Sequence, residues 1–192
     1  MEPFLGKFLD KAIRWLRFHK VIKHIPQDSI VCDIGCGRNN TFLEGIKHLI
    51  KYGIGIDKNI GGVIKNDTNN IKLIEFYISN KIPIESKSID VVIMMAILEH
   101  LTDPLGILDE SYRILRSGGK LIITVPTPLA KPVLEFMAFK LKIIDESEIR
   151  DHKNYFWIND IKTMLQKSGF KEDKIKGHYF EFGFNSFIVA KK

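Results

Sequence analysis

The sequence is short of cysteine, arginine and long apolar runs, and each shortage closes off a class of protein. Cys32 and Cys36 are the only 2 thiols among 192 residues. Four positions apart and with no second pair, they cannot build a disulfide framework, and a zinc site on them would need further ligands from elsewhere. No apolar run approaches the roughly 18 residues needed to cross a bilayer, because Lys or Glu interrupts every candidate. The opening stretch MEPFLGKFLDKAIRWLRFHK has no separate charged region, apolar block and small-residue cleavage site, so export is not expected. Arginine supplies only 6 of the 29 basic side chains. Arg is the residue that reads phosphates and bases bidentately, so a net charge of +6 built on lysine gives nucleic acid little support. A count of 30 Ile against 5 Ala fits a biased codon usage better than a surface selected for such a partner. The expectation is one cytoplasmic domain over residues 1–192, with reduced thiols.

The chain alternates between two periodicities. Residues 4–25 carry apolar side chains at helical spacing with Lys and Arg opposite, and Pro26 closes that segment. SIVCDIG reads as a short buried strand. Thr41 and Glu44 predict a capping box for a helix bearing Phe42, Leu43 and Ile46. YGIGID predicts a second strand ending at Asp57, and residues 72–78 a third; the Gly- and Asn-rich stretch 58–70 between them is a poor helix. Ile89–Met95 is apolar beyond Asp90, as a strand covered on both faces should be. Asp103 and Pro104 predict the start of a helix through Leu115, with Ser117-Gly118-Gly119 ending it and KLIITV as the next strand. Residues 129–150 read as an insertion or lid, and 159–168 as a helix. Residues 174–184 and 185–190 read as two strands too close to do anything but pair as a hairpin. Strands alternating with helices predict an α/β fold with a mostly parallel sheet, closed by an antiparallel C-terminal hairpin.

In such a sheet, ligands bind beyond the carboxyl ends of the strands, where strand order reverses. Three features converge there. Asp33-Ile34-Gly35-Cys36-Gly37 lets the backbone turn tightly and approach a ligand without a Cβ in the way. Asp57, at the end of the next strand, can accept both hydroxyls of a ribose. Met94, Met95 and Ala96 form a facing wall. Asn40 stands where a dinucleotide-binding loop has its third glycine, and Asp33 opposes a diphosphate while favouring a cation. A nucleoside with a positive centre satisfies both, and S-adenosylmethionine is the leading candidate.

The ordered motifs resemble those of class I S-adenosylmethionine-dependent methyltransferases of the small-molecule type. VCDIGCG resembles the first motif of that family and GIGID the second. IPIESKSIDVVIMMAILEHLTDP resembles its stretch from the adenine loop through the fourth strand. ILRSGGKLIITVP and DHKNYFWINDIKTMLQKSGF resemble the segments that follow. Together these cover roughly residues 29–190. The resemblance implies a Rossmann-like seven-stranded sheet with helices on both faces, S-adenosylmethionine as cofactor and S-adenosylhomocysteine as product. It implies that Gly35, Cys36 and Gly37 pass the methionine moiety, with Asp33 near its amino group. Asp57 is implied at the ribose and Lys58 beside the adenine. Met95 and Ala96 form the wall. Ser79, next to Asn80, replaces the acidic residue that usually meets the adenine amino group.

Methyl transfer from a sulfonium needs a base only where the acceptor must first lose a proton. His100 and His152 are the candidates, each against a plainer role in structure or capping. Glu99 reads as a carboxylate favoured at a helix N-terminus. Glu99, His100 and His152 are residue types that bind metals, but no metal is expected. The acceptor is expected to be small or lipophilic. RNA or DNA is the alternative, as is a non-catalytic cofactor-binding partner subunit. The first helix, within residues 1–26, reads most simply as a lid that packs on the sheet and covers the cofactor; its basic face, with Trp15 and Phe18, also permits contact with an anionic membrane surface.

Overall fold

The computed structural model describes residues 4–60, 70–78, 81–142 and 146–192. Helix α1 (Phe4–Ile22) leads into β1 (Ile30–Ile34), α2 (Thr41–Ile46) and β2 (Tyr52–Asp57). β3 (Ile71–Glu75), β4 (Ile89–Met95), α3 (Pro104–Ile114) and β5 (Leu115–Pro126) follow. After β5 come α4 (Ala130–Glu135), α5 (Glu146–Arg150), α6 (Ile158–Lys167), β6 (Ile175–Phe180) and β7 (Asn185–Lys191).

Side chains alternate across the sheet with the period of two that a strand imposes. Cys32, Val92, Met94, Leu121 and Ile123 pack on one face with Ile107 and Leu108 of α3 and Ile161 and Leu165 of α6. Val31, Val91, Ile93 and Ile122 pack on the other, under Val21 of α1 and Phe42, Leu43 and Ile46 of α2. The seven strands lie in the order β3-β2-β1-β4-β5-β7-β6. β1 to β5 are parallel, and β7 runs antiparallel to both β5 and β6. This is the Rossmann-like sheet that the motifs imply, with helices on both faces. Strand order reverses between β1 and β4, so their carboxyl ends frame the ligand crevice.

Partly buried polar groups fix the frame at its lower edge. Asp90 accepts from the Ile30 N–H at 2.7 Å and pairs with Arg116 at 2.9 Å, tying β1, β4 and β5 together. Glu110 of α3 accepts from the Ile82 N–H at 2.7 Å, and Arg113 donates to the Ile82 carbonyl at 3.0 Å. The loop ahead of β4 is thereby held to α3. Asp103 caps α3 as expected, accepting from the Gly106 N–H at 2.9 Å.

Three local expectations change. The Thr41–Glu44 capping box is absent: the residue before α2 is Asn40 in the left-handed region, φ 48°, with no side-chain cap bond, and Glu44 pairs instead with Lys47. β3 ends at Glu75 rather than residue 78. β6 stops at Phe180, because Glu181 and Phe182 take φ of 50° and 57° and turn the chain before β7. Within residues 129–150, 130–140 and 146–150 are helical, α4 running directly into a wider turn of helix over Phe136–Lys140. Among the described residues no helix is long and apolar enough to cross a membrane.

Candidate functional site

β1 delivers its chain into the crevice through Gly35, at φ 82°, and Gly37, at φ 71°. The loop is bonded to β2: Gly35 N–H donates to the Ile56 carbonyl at 2.8 Å, and Gly37 N–H donates to Asp57 Oδ2 at 2.9 Å. Asp57 Oδ1 accepts from the Asn59 N–H at 2.9 Å. One carboxylate thus joins the glycine turn to the exit of β2, with lone pairs left for a ligand. Across the crevice, Ile97 presses on the glycine loop. A Cβ on Gly35 would lie 2.8 Å from Ile97 Cγ1. Gly35→Ala combines that overlap with a left-handed φ and is expected to cost about 2 kcal/mol, read as a lower denaturation midpoint by circular dichroism.

Asp33 is 1% exposed and its Oδ1 has no hydrogen-bond partner. Burial, and then the charge of Asp57, push its carboxyl up to about 7. An acceptor so placed lacks a donor or cation. Cys36 is half-buried, with Sγ 3.6 Å from the Gly37 carbonyl; burial and the neighbouring Asp33 and Asp57 raise its thiol, so it is not activated. Lys58 is exposed beside Asp57, and Met95 and Ala96 are partly buried at the end of β4. Ala96 is held at φ 52° while its N–H donates to the Thr124 carbonyl at 2.9 Å. Backbone strain of this kind persists only where its surroundings enforce it. Ser79 and Asn80 lie outside the described residues.

The left-handed Asn40 explains the missing third glycine. Asn tolerates that conformation better than other residues with a Cβ, so the turn into α2 keeps its shape. It is 3% exposed, and its Oδ1 has no partner. In the sequence Asn40 stands only as an absent glycine; the tolerance of Asn for positive φ is the signal that marks this turn.

A second group forms beyond β4. Leu98–His100 make a turn of 3-10 helix, and the segment after α5 is clipped onto it. Lys153 and Asn154 N–H both donate to the Glu99 carbonyl, at 2.9 and 3.1 Å, and Asn154 Nδ2 donates to the Leu101 carbonyl at 2.9 Å. His100 and His152, 52 positions apart, are thereby stacked edge to face with ring centroids 4.7 Å apart. Burial lowers His100, and burial with the neighbouring His100 pushes His152 down to about 4. Both environments favour the uncharged imidazole. Glu99 is not at the N-terminus of a long helix, since α3 starts later at Pro104; it is 1% exposed, and burial pushes its carboxyl up to about 7.

A methyltransferase-domain family model matches residues 6–174. The chain belongs to this methyltransferase family. The domain is therefore S-adenosylmethionine-dependent, and the residues around the crevice fit that cofactor: an orphaned buried carboxylate at Asp33, a glycine turn that a side chain would obstruct, and Asp57 at the end of β2. The methyltransferase is 30% identical to a demethylmenaquinone methyltransferase of Staphylococcus epidermidis, over 91% of this chain and 76% of that one. It is 29% identical to a tRNA carboxymethyluridine methyltransferase of Macaca fascicularis, over 65% of this chain, and the match spans only 19% of that longer protein. In fold it is similar to a S-adenosylmethionine-dependent methyltransferase of Archaeoglobus fulgidus, with a TM-score of 0.71 at 19% identity, over 99% of this chain and all of that one.

Proposed function

We propose that this methyltransferase acts on a small lipophilic acceptor, held between the cofactor crevice and the helical segment after β5. The carrying observation is the apolar surface of that segment. Leu129, Val133, Phe136, Phe139 and Leu141 are all exposed, by 37–54%. Phe182, in the turn between β6 and β7, is fully exposed. These two parts are joined: Thr127 Oγ1 donates to the Gly183 carbonyl at 2.8 Å, and Thr127 N–H donates to the Phe184 carbonyl at 2.9 Å. The segment also reaches the histidine pair, since Lys131 lies 5.8 Å from the ring centre of Tyr155, whose hydroxyl is 3.0 Å from His152 Nδ1. Apolar side chains clustered on a surface mark a binding face. The likeness to a demethylmenaquinone methyltransferase over nearly the whole chain supports an apolar ring-bearing acceptor.

Bound S-adenosylmethionine supplies an activated methyl group on a sulfonium, so the protein's work is alignment and exclusion of water. In this reading Asp33 takes the methionine ammonium and Gly35, Cys36 and Gly37 line its passage. Asp57 holds the ribose hydroxyls, Lys58, Ser79 and Asn80 border the adenine, and Met95 and Ala96 close the opposite wall. His100 and His152 face the acceptor side.

The test is transfer of a radiolabelled methyl group to a short-chain demethylmenaquinol and to bulk tRNA in parallel. The expected result is labelled quinol, with a KM raised about tenfold in Phe136→Ser for loss of one aromatic contact. Labelling of tRNA alone, with binding that weakens steeply as salt rises, would overturn the proposal.

A further inference from the structure

We propose that Glu99, His100 and His152 form a zinc-class divalent metal site on the acceptor side of the crevice. One carboxylate oxygen and one nitrogen from each ring lie within 4.8 Å of one another. Bonds of about 2.0–2.1 Å to a tetrahedral ion would set these atoms about 3.3 Å apart, so modest side-chain rotations complete the site.

Two independent features point to a cation. Glu99 Oε2 is buried with no hydrogen-bond partner. Leaving a buried carboxylate oxygen unmatched is costly, and a metal ion supplies the missing partner. Arg17 is near enough for its charge to act on Glu99 and His152, yet it makes no hydrogen bond to Glu99 Oε2: its Nη2 donates to Asn185 Oδ1 at 3.4 Å, and its buried Nε has no partner. The second feature is the outer shell. His100 Nδ1 lies 3.2 Å from the Asp151 carbonyl, which can only accept, so that nitrogen carries the proton. His152 Nδ1 lies 3.0 Å from the Tyr155 hydroxyl. The Asp151 carbonyl leaves Nε2 of His100 as the free lone pair, and His152 Nε2 is free likewise when the Tyr155 hydroxyl accepts from Nδ1, the outer-shell arrangement that orients metal-binding histidines. The clip of residues 153 and 154 onto the Glu99 carbonyl holds both ligand-bearing segments together before any ion arrives.

Three protein ligands leave a coordination position open, as in zinc sites that bind a substrate oxygen. Resting on the methyltransferase reading, that position would suit an acceptor hydroxyl, whose acidity the ion would raise so that its proton passes to solvent water, while the methyl group moves to the acceptor and S-adenosylhomocysteine leaves as a neutral thioether.

The test is calorimetric titration of EDTA-dialysed protein with zinc chloride, with cobalt(II) chloride as an absorption probe. One equivalent of zinc per chain at micromolar affinity is expected, with a visible cobalt band of low symmetry. Both should weaken by about 100-fold or more in Glu99→Gln and in His100→Asn, and survive in His48→Ala, away from the cluster. Circular dichroism selects variants that keep the native spectrum, and His100→Asn at the partly exposed rim serves if Glu99→Gln does not fold. Absence of zinc binding would overturn the site. So would binding that Glu99→Gln and His100→Asn leave within threefold of the parent, or that His48→Ala removes. Titrating the same samples with S-adenosylmethionine separates this failure from failure of the methyltransferase reading.

Discussion

Asp33→Asn is expected to abolish S-adenosylmethionine binding while making the ligand-free protein more stable at pH 8. The two effects share one cause. The carboxyl is buried without a partner for Oδ1, and burial pushes it from 3.8 up to about 7. Between those values the folded chain holds a proton that the unfolded chain has released, so stability falls as pH rises from about 4 to about 7. Below pH 4 both states are protonated and nothing is lost; above pH 7 the full penalty is present. At 1.36 kcal/mol per unit, the ceiling is about 4 kcal/mol. Asn removes the charge but brings an amide that also wants partners, so about 2 kcal/mol should be recovered, or roughly 4–8 °C in Tm. The gain should vanish at pH 4. A Tm at pH 8 that is unchanged or lower would sink this account, as would retained affinity by calorimetry. In the parent, binding the cationic cofactor should pull the carboxyl back toward its ionised form, releasing protons in buffers near pH 6.5.

Asp57→Ala should weaken S-adenosylmethionine by at least about 100-fold, since two charge-assisted hydrogen bonds to ribose hydroxyls each contribute about 1.5–3 kcal/mol. It also cuts the links from Oδ2 to the Gly37 N–H and from Oδ1 to the Asn59 N–H, which release the glycine turn from β2. The ribose contribution is separated from that loosening by titrating methionine-bearing fragments without the sugar. Their affinity should drop by less than about tenfold, the share of the loop alone. Equal losses for fragment and whole cofactor would mean that Asp57 shapes the loop and never meets the ribose.

The sheet was legible because its residues obey simple periods. Ile89–Met95 and Tyr52–Asp57 have the bounds that their apolar runs and flanking turns suggest, and the hairpin followed from two strands with no room between them. The turn into α2 was misread, since Thr-x-x-Glu satisfies the capping pattern while the backbone of Asn40 occupies the position that matters. β6 was read too long because the aromatic run through Phe184 hides a turn made by positive φ at non-glycine residues. At the site, the glycine loop and Asp57 are neighbours in motif and could be read together. Glu99, His100 and His152 share metal-binding chemistry in the sequence, but their approach has no local signal: residues 153 and 154 dock on the Glu99 carbonyl only through the way the chain returns after α5.

The position of β7 governs how the protein can be made. It is the last strand in the chain, yet it sits between β5 and β6 in the sheet. On the ribosome, β5 emerges with Leu121, Ile122, Ile123 and Val125 along an open edge, and β6 appears before it has any strand to join. At about 5–20 residues per second, the roughly 60 residues between the ends of these strands leave that edge bare for several seconds. An unpaired apolar edge is a template for pairing with other chains. Yield at high expression temperature should therefore depend on how fast the last strand arrives, and a holding chaperone would act on β5.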